Sequence, residues 1–480
     1  MPRLSNLLAP LLAEDPEIGG LTADSRKVRP GDLFAALPGT RADGRDFIAD
    51  AVSRGASAVL ALRGTALGES TATLITDDNP RRRFAQAAAQ FFAPQPKTVV
   101  AVTGTNGKTS VANFTRRIWA ALGHQAASLG TLGISAPGRV VAGSLTTPDP
   151  VDLHRSLAEL ARDGVTHAAM EASSHGLDQF RLDGVSIAAA AFTNLTHDHL
   201  DYHGDMGAYW LAKRRLFTEV MSPRKAAVIN ADSPYARELA IQSRNHWHRV
   251  ITFGEKGDDI RLVRTTPTAR GQDLDVTVLG TSRRVRLPLA GAFQASNALC
   301  ALGLVIATGG DVDAAVAALD RLEGVPGRLQ HVASTKTGAS IYVDYAHTPD
   351  ALATVLKALR PHASGSLSVV FGCGGDRDAT KRPEMGRIAR EFANTIIVTD
   401  DNPRSEDPAT IRAAILKACP GALEIGDRHE AIRAAVKALA PGDVLLLAGK
   451  GHESGQIFRD RTLPFDDAVE ARRAVAELPA

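Results

Sequence analysis

The chain has 480 residues, 44% of them hydrophobic, which is room for about three domains of ordinary size and material for more than one core. Its 55 basic and 53 acidic residues leave a formal net charge of +2, with no basic tail or charge block, so binding to nucleic acid or to a membrane surface gains no support. Three scattered cysteines, Cys300, Cys373 and Cys419, argue against a disulfide framework. The first apolar run is broken by Pro10 and lacks the pattern of a signal peptide, and no stretch reaches the ~18 apolar residues of a membrane span. A soluble cytoplasmic enzyme without membrane insertion is the expectation.

Along the chain, short apolar runs alternate with Ala-rich helical segments, which is the signature of an α/β fold. The first clear punctuation is TDDNPR at 76–81, followed by RRRFAQAAAQFF. Asn before Pro is a helix-start signal, and this copy reads as turn chemistry alone. The Pro-rich stretch around Pro94 and Pro96 predicts a first boundary, and the stretch around Pro326 and Gly327 a second. They divide the chain into 1–96, 97–327 and 328–480. Three continuous β-branched or Leu-rich runs predict parallel strands buried on both faces: TVVAVT (98–103), SLSVVFG (366–372) and DVLLLAG (443–449).

The first of these strands runs into Thr103-Gly104-Thr105-Asn106-Gly107-Lys108-Thr109, and then into a helical pattern with Val111, Phe114, Ile118 and Leu122 on one face and Gly123 as its stop. Strand, glycine loop and helix in that order are the setting of a phosphate-binding loop. Glycines let backbone N–H groups converge on phosphate oxygens, and the helix N-terminus adds positive potential. Lys108 is placed to reach the β- and γ-phosphates, and the Thr109 hydroxyl to ligate Mg²⁺. The loop is shorter than the general pattern, which would put a glycine where Val102 stands.

TGTNGKT in this form resembles the Mur ligase and folylpolyglutamate synthetase superfamily. The segments LTADSRKVRPGDLFAAL (21–37), TTPDP (146–150), MEASSHGLDQFRL (170–182) and TNLTHDHLDYHG (193–204) sharpen the resemblance, as do DYAHTPDAL (344–352), GCGGDRDATKRPEMG (372–386), TDDNPR (399–404) and AGKGHE (448–453). In this order they resemble the diaminopimelate-adding, MurE-type branch of the Mur ligases, over nearly the whole chain. The resemblance implies three domains: an N-terminal one for a UDP moiety, a central P-loop ATPase-like parallel sheet and a C-terminal Rossmann-like domain. The implied small-molecule substrates are ATP, UDP-N-acetylmuramoyl-L-Ala-D-Glu and meso-diaminopimelate, with Mg²⁺ as cofactor and a monomer as the expected state, although nothing in the sequence itself speaks to oligomerisation.

By this resemblance Glu171, at the end of the apolar run GVTHAAM, and His199 ligate Mg²⁺. The neighbours His197 and His203 leave a zinc reading open, but H-x-H-x-x-x-H is not a trusted zinc spacing. Lys213, in the helical pattern YWLAKRRLF, is read either as an ordinary surface lysine or, from its family position, as a lysine carbamylated by CO₂ (N6-carboxylysine) that binds a second Mg²⁺. Lys108, Glu171, His199 and Lys213 are thus the expected catalytic set. Ser25, Thr146, Thr147, Ser173, Gln179 and Arg181 are implied for the UDP-muramoyl dipeptide, and Ser25 competes as a turn cap. Asn297, Arg328 and Asp344 are implied for the nucleotide, with His347 nearby; caps are again the competing reading.

Diaminopimelate carries one carboxylate more than lysine, so a selective site needs a fixed cation. Arg377 follows the strand SLSVVFG, Asp401-Asn402-Pro403-Arg404 follows NTIIVTD, and Gly449 and Glu453 follow DVLLLAG. Three loops at strand ends are where α/β folds place ligands. The resemblance implies that Arg377 pairs with the carboxylate, that Asp401, Asn402 and Glu453 serve ammonium and amide contacts, and that Arg404 marks the diaminopimelate pattern. The rival readings are a lysine-adding or folylpolyglutamate ligase, a nucleotide-binding regulator with a decayed site, and a structural partner in wall synthesis.

Overall fold

The computed structural model describes residues 1–8, 14–39, 42–68, 70–143 and 145–479; Pro10, expected to interrupt the first apolar run, lies outside them. Among the described residues no helix is long and apolar enough to cross a membrane. The chain divides into two compact units, Met1–Phe253 with Cys300–Ala315, and Gly254–Leu299 with Val316–Ala480.

The first unit holds two sheets. Near the N-terminus, Gly20–Thr22, Asp32–Ala36, Ala58–Leu62 and Thr73–Asp77 pair in sequence order, all parallel. The first TDDNPR copy ends the last of these strands. There Asn79 caps the helix Pro80–Phe92 by accepting from Arg82 N at 3.0 Å, so this copy is the helix start its residues predict.

The larger sheet of this unit runs Arg249–Gly254, Ala226–Asn230, Ala189–Phe192, Thr98–Thr103, His167–Glu171, Ala126–Gly130 in parallel, then adds the antiparallel hairpin Gly133–Ala136 and Arg139–Val141. Val99, Val100, Ala101 and Val102 are wholly buried, as a strand covered on both faces requires. The helix Lys108–Ala121 buries Val111, Phe114 and Ile118, ends at Leu122, and passes into Gly123 at φ 87°. Strands ending at Thr103, Glu171 and Phe192 are neighbours, so the segments that follow them emerge side by side at the carboxyl edge.

The second unit contains an antiparallel meander, Ile260–Thr268, Gly271–Val278 and Thr281–Leu287, and a six-stranded sheet. That sheet runs Gln330–Ser334, Ser340–Asp344, Val444–Ala448, Leu367–Phe371, Thr395–Val398, Leu423–Glu424, with only the first pairing antiparallel. Side chains alternate between two cores. Tyr342, Val369, Phe371 and Leu446 join one, while Ile341, Val343, Val370, Leu445 and Leu447 join the other.

A buried ion pair secures the second core. Arg428 Nη2 and Nε meet the Asp467 carboxylate at 2.6 and 2.7 Å, with both side chains 0% exposed. The same guanidinium donates to the carbonyls of Ala448 at 3.0 Å and Asp400 at 3.4 Å, at and just beyond the ends of the two strands that flank Leu367–Phe371. Removing one partner of such a pair strands a desolvated charge. Asp467→Ala is expected to cost about 3–5 kcal/mol in chemical denaturation, and the joint Arg428→Met, Asp467→Leu change far less. A double variant as unstable as the single one would show that the pair's charge compensation is not what matters.

Candidate active site

The glycine loop is built for close approach. Gly104 sits at φ 146°, where a Cβ would overlap the Thr193 hydroxyl, and Gly107 takes the left-handed conformation (φ 88°) at the helix N-cap. The segment after Phe192 braces the loop from one side. Asn194 accepts Thr105 N through its carbonyl and Asn106 N through its side-chain oxygen, both at 2.9 Å, and Thr193 Oγ1 donates to Asn106 O at 2.6 Å. Anion-binding potential therefore rests with the first turn of Lys108–Ala121, whose N–H groups have no intrahelical acceptor.

Two lysines converge on one carbonyl. Lys108 folds back to donate to Gly104 O at 2.9 Å and Thr105 O at 2.8 Å, and Lys213 Nζ donates to the same Gly104 O at 2.8 Å. Lys213 is no surface residue: it is 1% exposed, on the helix Met206–Arg215, with its ammonium 4.4 Å from the Tyr209 ring centroid. Burial first, and then the neighbouring Lys108 charge, hold its pKa well below the usual 10.5.

Glu171 closes its strand, buried, with a carboxylate held by Thr109 Oγ1 at 3.0 Å, Thr131 N at 2.7 Å and Thr131 Oγ1 at 3.3 Å. Gly130 lies so close that a Cβ there would overlap this carboxylate. Thr131 escaped sequence analysis; its one signal was its place just after the strand Ala126–Gly130. Thr146 Oγ1 pairs with Thr131 Oγ1 at 3.0 Å. The Thr147 hydroxyl is spent internally, donating to Glu171 O at 3.0 Å and accepting from Ser173 N at 3.0 Å. Ser173 is also an N-cap, accepting from Gly176 N at 3.0 Å.

His199 is exposed, at φ 53°, with Nε2 3.5 Å from Asp198 Oδ2. Its ring lies 4.9 Å from that of His175, which in turn lies 4.1 Å from Tyr202 and 5.6 Å from His203. His175 was not anticipated. These rings form an aromatic cluster, and among the described residues no group of three His, Cys, Asp or Glu side chains is arranged to hold a metal ion.

A chain of hydrogen bonds leads away from this cluster. Tyr202 Oη donates to Asp178 Oδ2 at 2.8 Å and accepts from Gln179 Nε2 at 3.0 Å. Gln179 Oε1 accepts from Arg181 Nη2 at 2.7 Å, and Arg181 Nη1 donates to Thr147 O at 2.7 Å. Gln179 and Arg181 line a cleft of about 1090 Å³ together with Lys27 and Arg81, and with Arg26 and Arg155, which are paired with Asp24 and Asp152, a polar wall of mixed charge. Ser25 lies just behind that wall, buried in a short 3₁₀ turn capped by Asp24.

In the second unit, Asn297 Nδ2 donates to Gln294 Oε1 at 3.1 Å, and Gln294 Nε2 to Arg328 O at 2.9 Å. The Arg328 guanidinium lies 5.3 Å from the Tyr345 ring centroid, with its Nε buried and unpartnered among the described residues. Asp344 accepts from Leu329 N at 2.6 Å and Ala346 N at 2.8 Å; burial outweighs Arg328 and these bonds, and raises its pKa to about 6. His347 is exposed, its Nδ1 2.8 Å from Tyr345 O.

The three C-terminal loops do follow adjacent strands, Val444–Ala448, Leu367–Phe371 and Thr395–Val398. Unlike its twin, the second TDDNPR copy starts no helix; the next begins at Pro408. Asp401 and Asn402 are buried instead. Asn402 Nδ2 donates to Glu453 Oε2 at 2.8 Å, and Asn402 Oδ1 accepts from Ile457 N at 3.0 Å. Gly449 (φ 112°) passes so near Asp401 that a Cβ would stand 2.5 Å from Oδ2. Pro403 is buried, and its carbonyl leaves no room for a side chain at Gly375. Arg404, half-buried at φ 53°, donates through Nη1 to Gly375 O at 2.8 Å, whereas Arg377 is exposed. Lys450, also unanticipated, is fully buried between Asn402 and Glu453.

Three family models match the chain: the Mur ligase family catalytic domain over residues 17–92, the Mur ligase middle domain over 102–305, and the Mur ligase glutamate ligase domain over 327–451. The chain belongs to the Mur ligase family, ATP-dependent enzymes that form an amide bond. It is 57% identical over 462 residues, 96% of this chain and 95% of the relative, to UDP-N-acetylmuramoyl-L-alanyl-D-glutamate–2,6-diaminopimelate ligase of Rhizobium meliloti. It is 55% identical, covering 100% of this chain and 99% of the relative, to the protein of that name from Caulobacter vibrioides. A solved structure described by the same name superposes with a TM-score of 0.77 at 35% identity, covering 99% of both chains. MurF of Thermotoga maritima in complex with ADP, at 20% identity, TM-score 0.59, and 90% and 94% coverage, shares the fold.

Gly130→Ala tests the Glu171 cradle. Displacing this carboxylate from its three donors is expected to lower ligase kcat by roughly 10²-fold, with the far-UV circular dichroism unchanged. Full turnover in this variant would show that Glu171 is not used in this position.

Proposed function

We propose that the chain joins meso-2,6-diaminopimelate to the D-Glu carboxylate of UDP-N-acetylmuramoyl-L-Ala-D-Glu with cleavage of ATP to ADP and phosphate, in the cytoplasm, yielding the UDP-muramoyl tripeptide for peptidoglycan synthesis. The observation that carries this reading is the second TDDNPR copy, which is built into a buried clamp with Glu453 where its twin only starts a helix. Near-full-length likeness to proteins named for this reaction supports it. The division 1–96, 97–327 and 328–480 assigns the UDP moiety, ATP and the amino acid to successive segments.

A carboxylate is a poor electrophile. In the first step one of its oxygens attacks the γ-phosphorus of ATP, giving an acyl phosphate and ADP. The diaminopimelate amine then attacks the acyl carbon, phosphate leaves with the C–O bonding pair, and the nitrogen loses a proton. Both steps gather negative charge at one place, where preorganised cations and dipoles act most strongly. The helix start at 107–109 and the Lys108 ammonium supply them, once Lys108 exchanges its loop carbonyls for phosphate oxygens. The hydroxyl of Thr109 beside the Glu171 carboxylate is a hard-oxygen set that fits Mg²⁺, with His199 as a further ligand. Mg²⁺ there would neutralise charge on the phosphate oxygens.

Lys213 completes the set as a carbamate. Its depressed pKa supports this: the ammonium gives up one proton to become the free amine, and that amine loses a second on adding to CO₂, so that a cation is replaced by an anion. In the cleft, Gln179 and Arg181 hold the UDP-muramoyl dipeptide, with Ser25, Thr146, Thr147 and Ser173 shaping their setting. Asn297, Arg328 and Asp344 serve the nucleotide. Asp401, Asn402, Glu453 and Gly449 form the amino-acid loops, where Arg377 and Arg404 receive the distal carboxylate and exposed Arg377 closes onto it.

An amino-acid panel with the UDP-dipeptide and ATP, read by product mass, tests the assignment. Discrimination against L-lysine by about 10⁴–10⁵ in kcat/KM is expected of a site built around a polar group; comparable values for lysine and diaminopimelate would refute it. Lys213→Ala should abolish turnover, with partial recovery in acetate. Full activity without acetate would end the carbamate reading.

A further inference from the structure

Lys450 follows the strand Val444–Ala448 and is flanked by Gly449 and Gly451 at φ 112° and 56°, a backbone that turns its side chain inward. The side chain is 0% exposed. Its ammonium has three N–H donors and meets three acceptors: Gly455 O at 2.7 Å, Asn402 Oδ1 at 3.1 Å and Glu453 Oε2 at 3.2 Å. Three segments, 401–402, 450–453 and 455–457, thus meet at one buried cation. A desolvated ammonium persists only when paired and fully hydrogen-bonded, and Glu453 is its one carboxylate partner among the described residues.

The arrangement is directional. Lys450 and Ile457 N both approach Asn402 Oδ1, so the Asn402 amide can point only its Nδ2 at Glu453. Lys450 and Asn402 both engage Glu453 Oε2, while the Glu453 side chain keeps 32% of its surface exposed. Among the described residues no hydrogen bond engages Oε1. We propose that Lys450 is a positioning residue for the incoming diamino acid. It anchors one oxygen of Glu453, and with it the Asn402 amide, so that the other oxygen is presented to a substrate ammonium group. The inference rests on the reading of these loops as the diaminopimelate site.

Steady-state kinetics on the full-length protein, with each of the three substrates varied in turn, test it with Lys450→Met, Lys450→Gln, Glu453→Gln and the double variant Lys450→Met, Glu453→Gln. Lys450→Met should raise KM for meso-diaminopimelate by roughly ten- to one-hundredfold, the range for a lost charge-assisted bond, and leave KM for ATP and the UDP-dipeptide unchanged. Lys450→Gln, which keeps donors without charge, should fall between it and the wild type. The double variant should be no worse than Glu453→Gln alone, because Lys450 acts through Glu453. An unchanged KM for diaminopimelate in Lys450→Met overturns the proposal, as does an equal rise for all three substrates or multiplying effects in the double variant. If Lys450→Met fails to fold by thermal melting, Lys450→Gln is judged by the same outcomes. Wild-type enzyme that did not use meso-diaminopimelate would sink the reading of the site. A raised KM in Glu453→Gln beside an unaffected Lys450→Met would sink this inference alone.

Discussion

Four charged side chains, Glu171, Lys213, Arg428 and Lys450, lie almost wholly out of solvent with their charged groups at the carboxyl ends of parallel strands, and the desolvation cost of each dictates what surrounds it. Glu171 draws in the hydroxyls of Thr109 and Thr131, Arg428 the carboxylate of Asp467, Lys450 the triad of Asn402, Glu453 and Gly455. Among the described residues Lys213 meets a carbonyl and an aromatic face, and burial pushes its pKa towards the neutral form. An uncompensated buried charge either acquires a partner or gives up its proton. The first outcome makes a rigid clamp; the second loosens the hold on the proton.

Glycine matters here as space as much as flexibility. Gly104, Gly130 and Gly449 each lie where a methyl group would collide with a side chain that carries chemistry or supports it, Thr193, Glu171 and Asp401 respectively. The glycines let polar side chains from neighbouring strand ends come within hydrogen-bonding distance of one another and of the backbone. The same edge of each sheet can therefore carry several buried polar groups without leaving them unpaired.

The hexapeptide TDDNPR shows where linear reading stops. Both copies follow a parallel strand. In the first, Asn79 caps a helix from its own local chain; in the second, the equivalent Asn402 is captured by Lys450, Glu453 and Ile457, all about fifty residues away. Identical residues have the same intrinsic preference for a helix start, and the choice falls to whatever partners the fold delivers. Thr131, His175 and Lys450 escaped for the same reason. Each meets partners far along the chain through hydrogen bonds or ring contacts that no fixed spacing announces.

The sequence by itself determined the elements whose cause is local: the buried apolar strands, the glycine loop and amphipathic helix at 98–121, the helix start at Asn79, and, through the ordered motifs, the family. Those features depend on residues within a turn or two of one another, and periodicity and capping chemistry encode them directly. Only the tertiary structure decided that Lys213 is buried against Gly104, that the Thr147 hydroxyl is spent holding Glu171, and that Asn402 is a clamp. Burial and partner choice depend on which strand ends become neighbours, and a hydrogen bond between residues a hundred positions apart exists only once the sheet has brought them together.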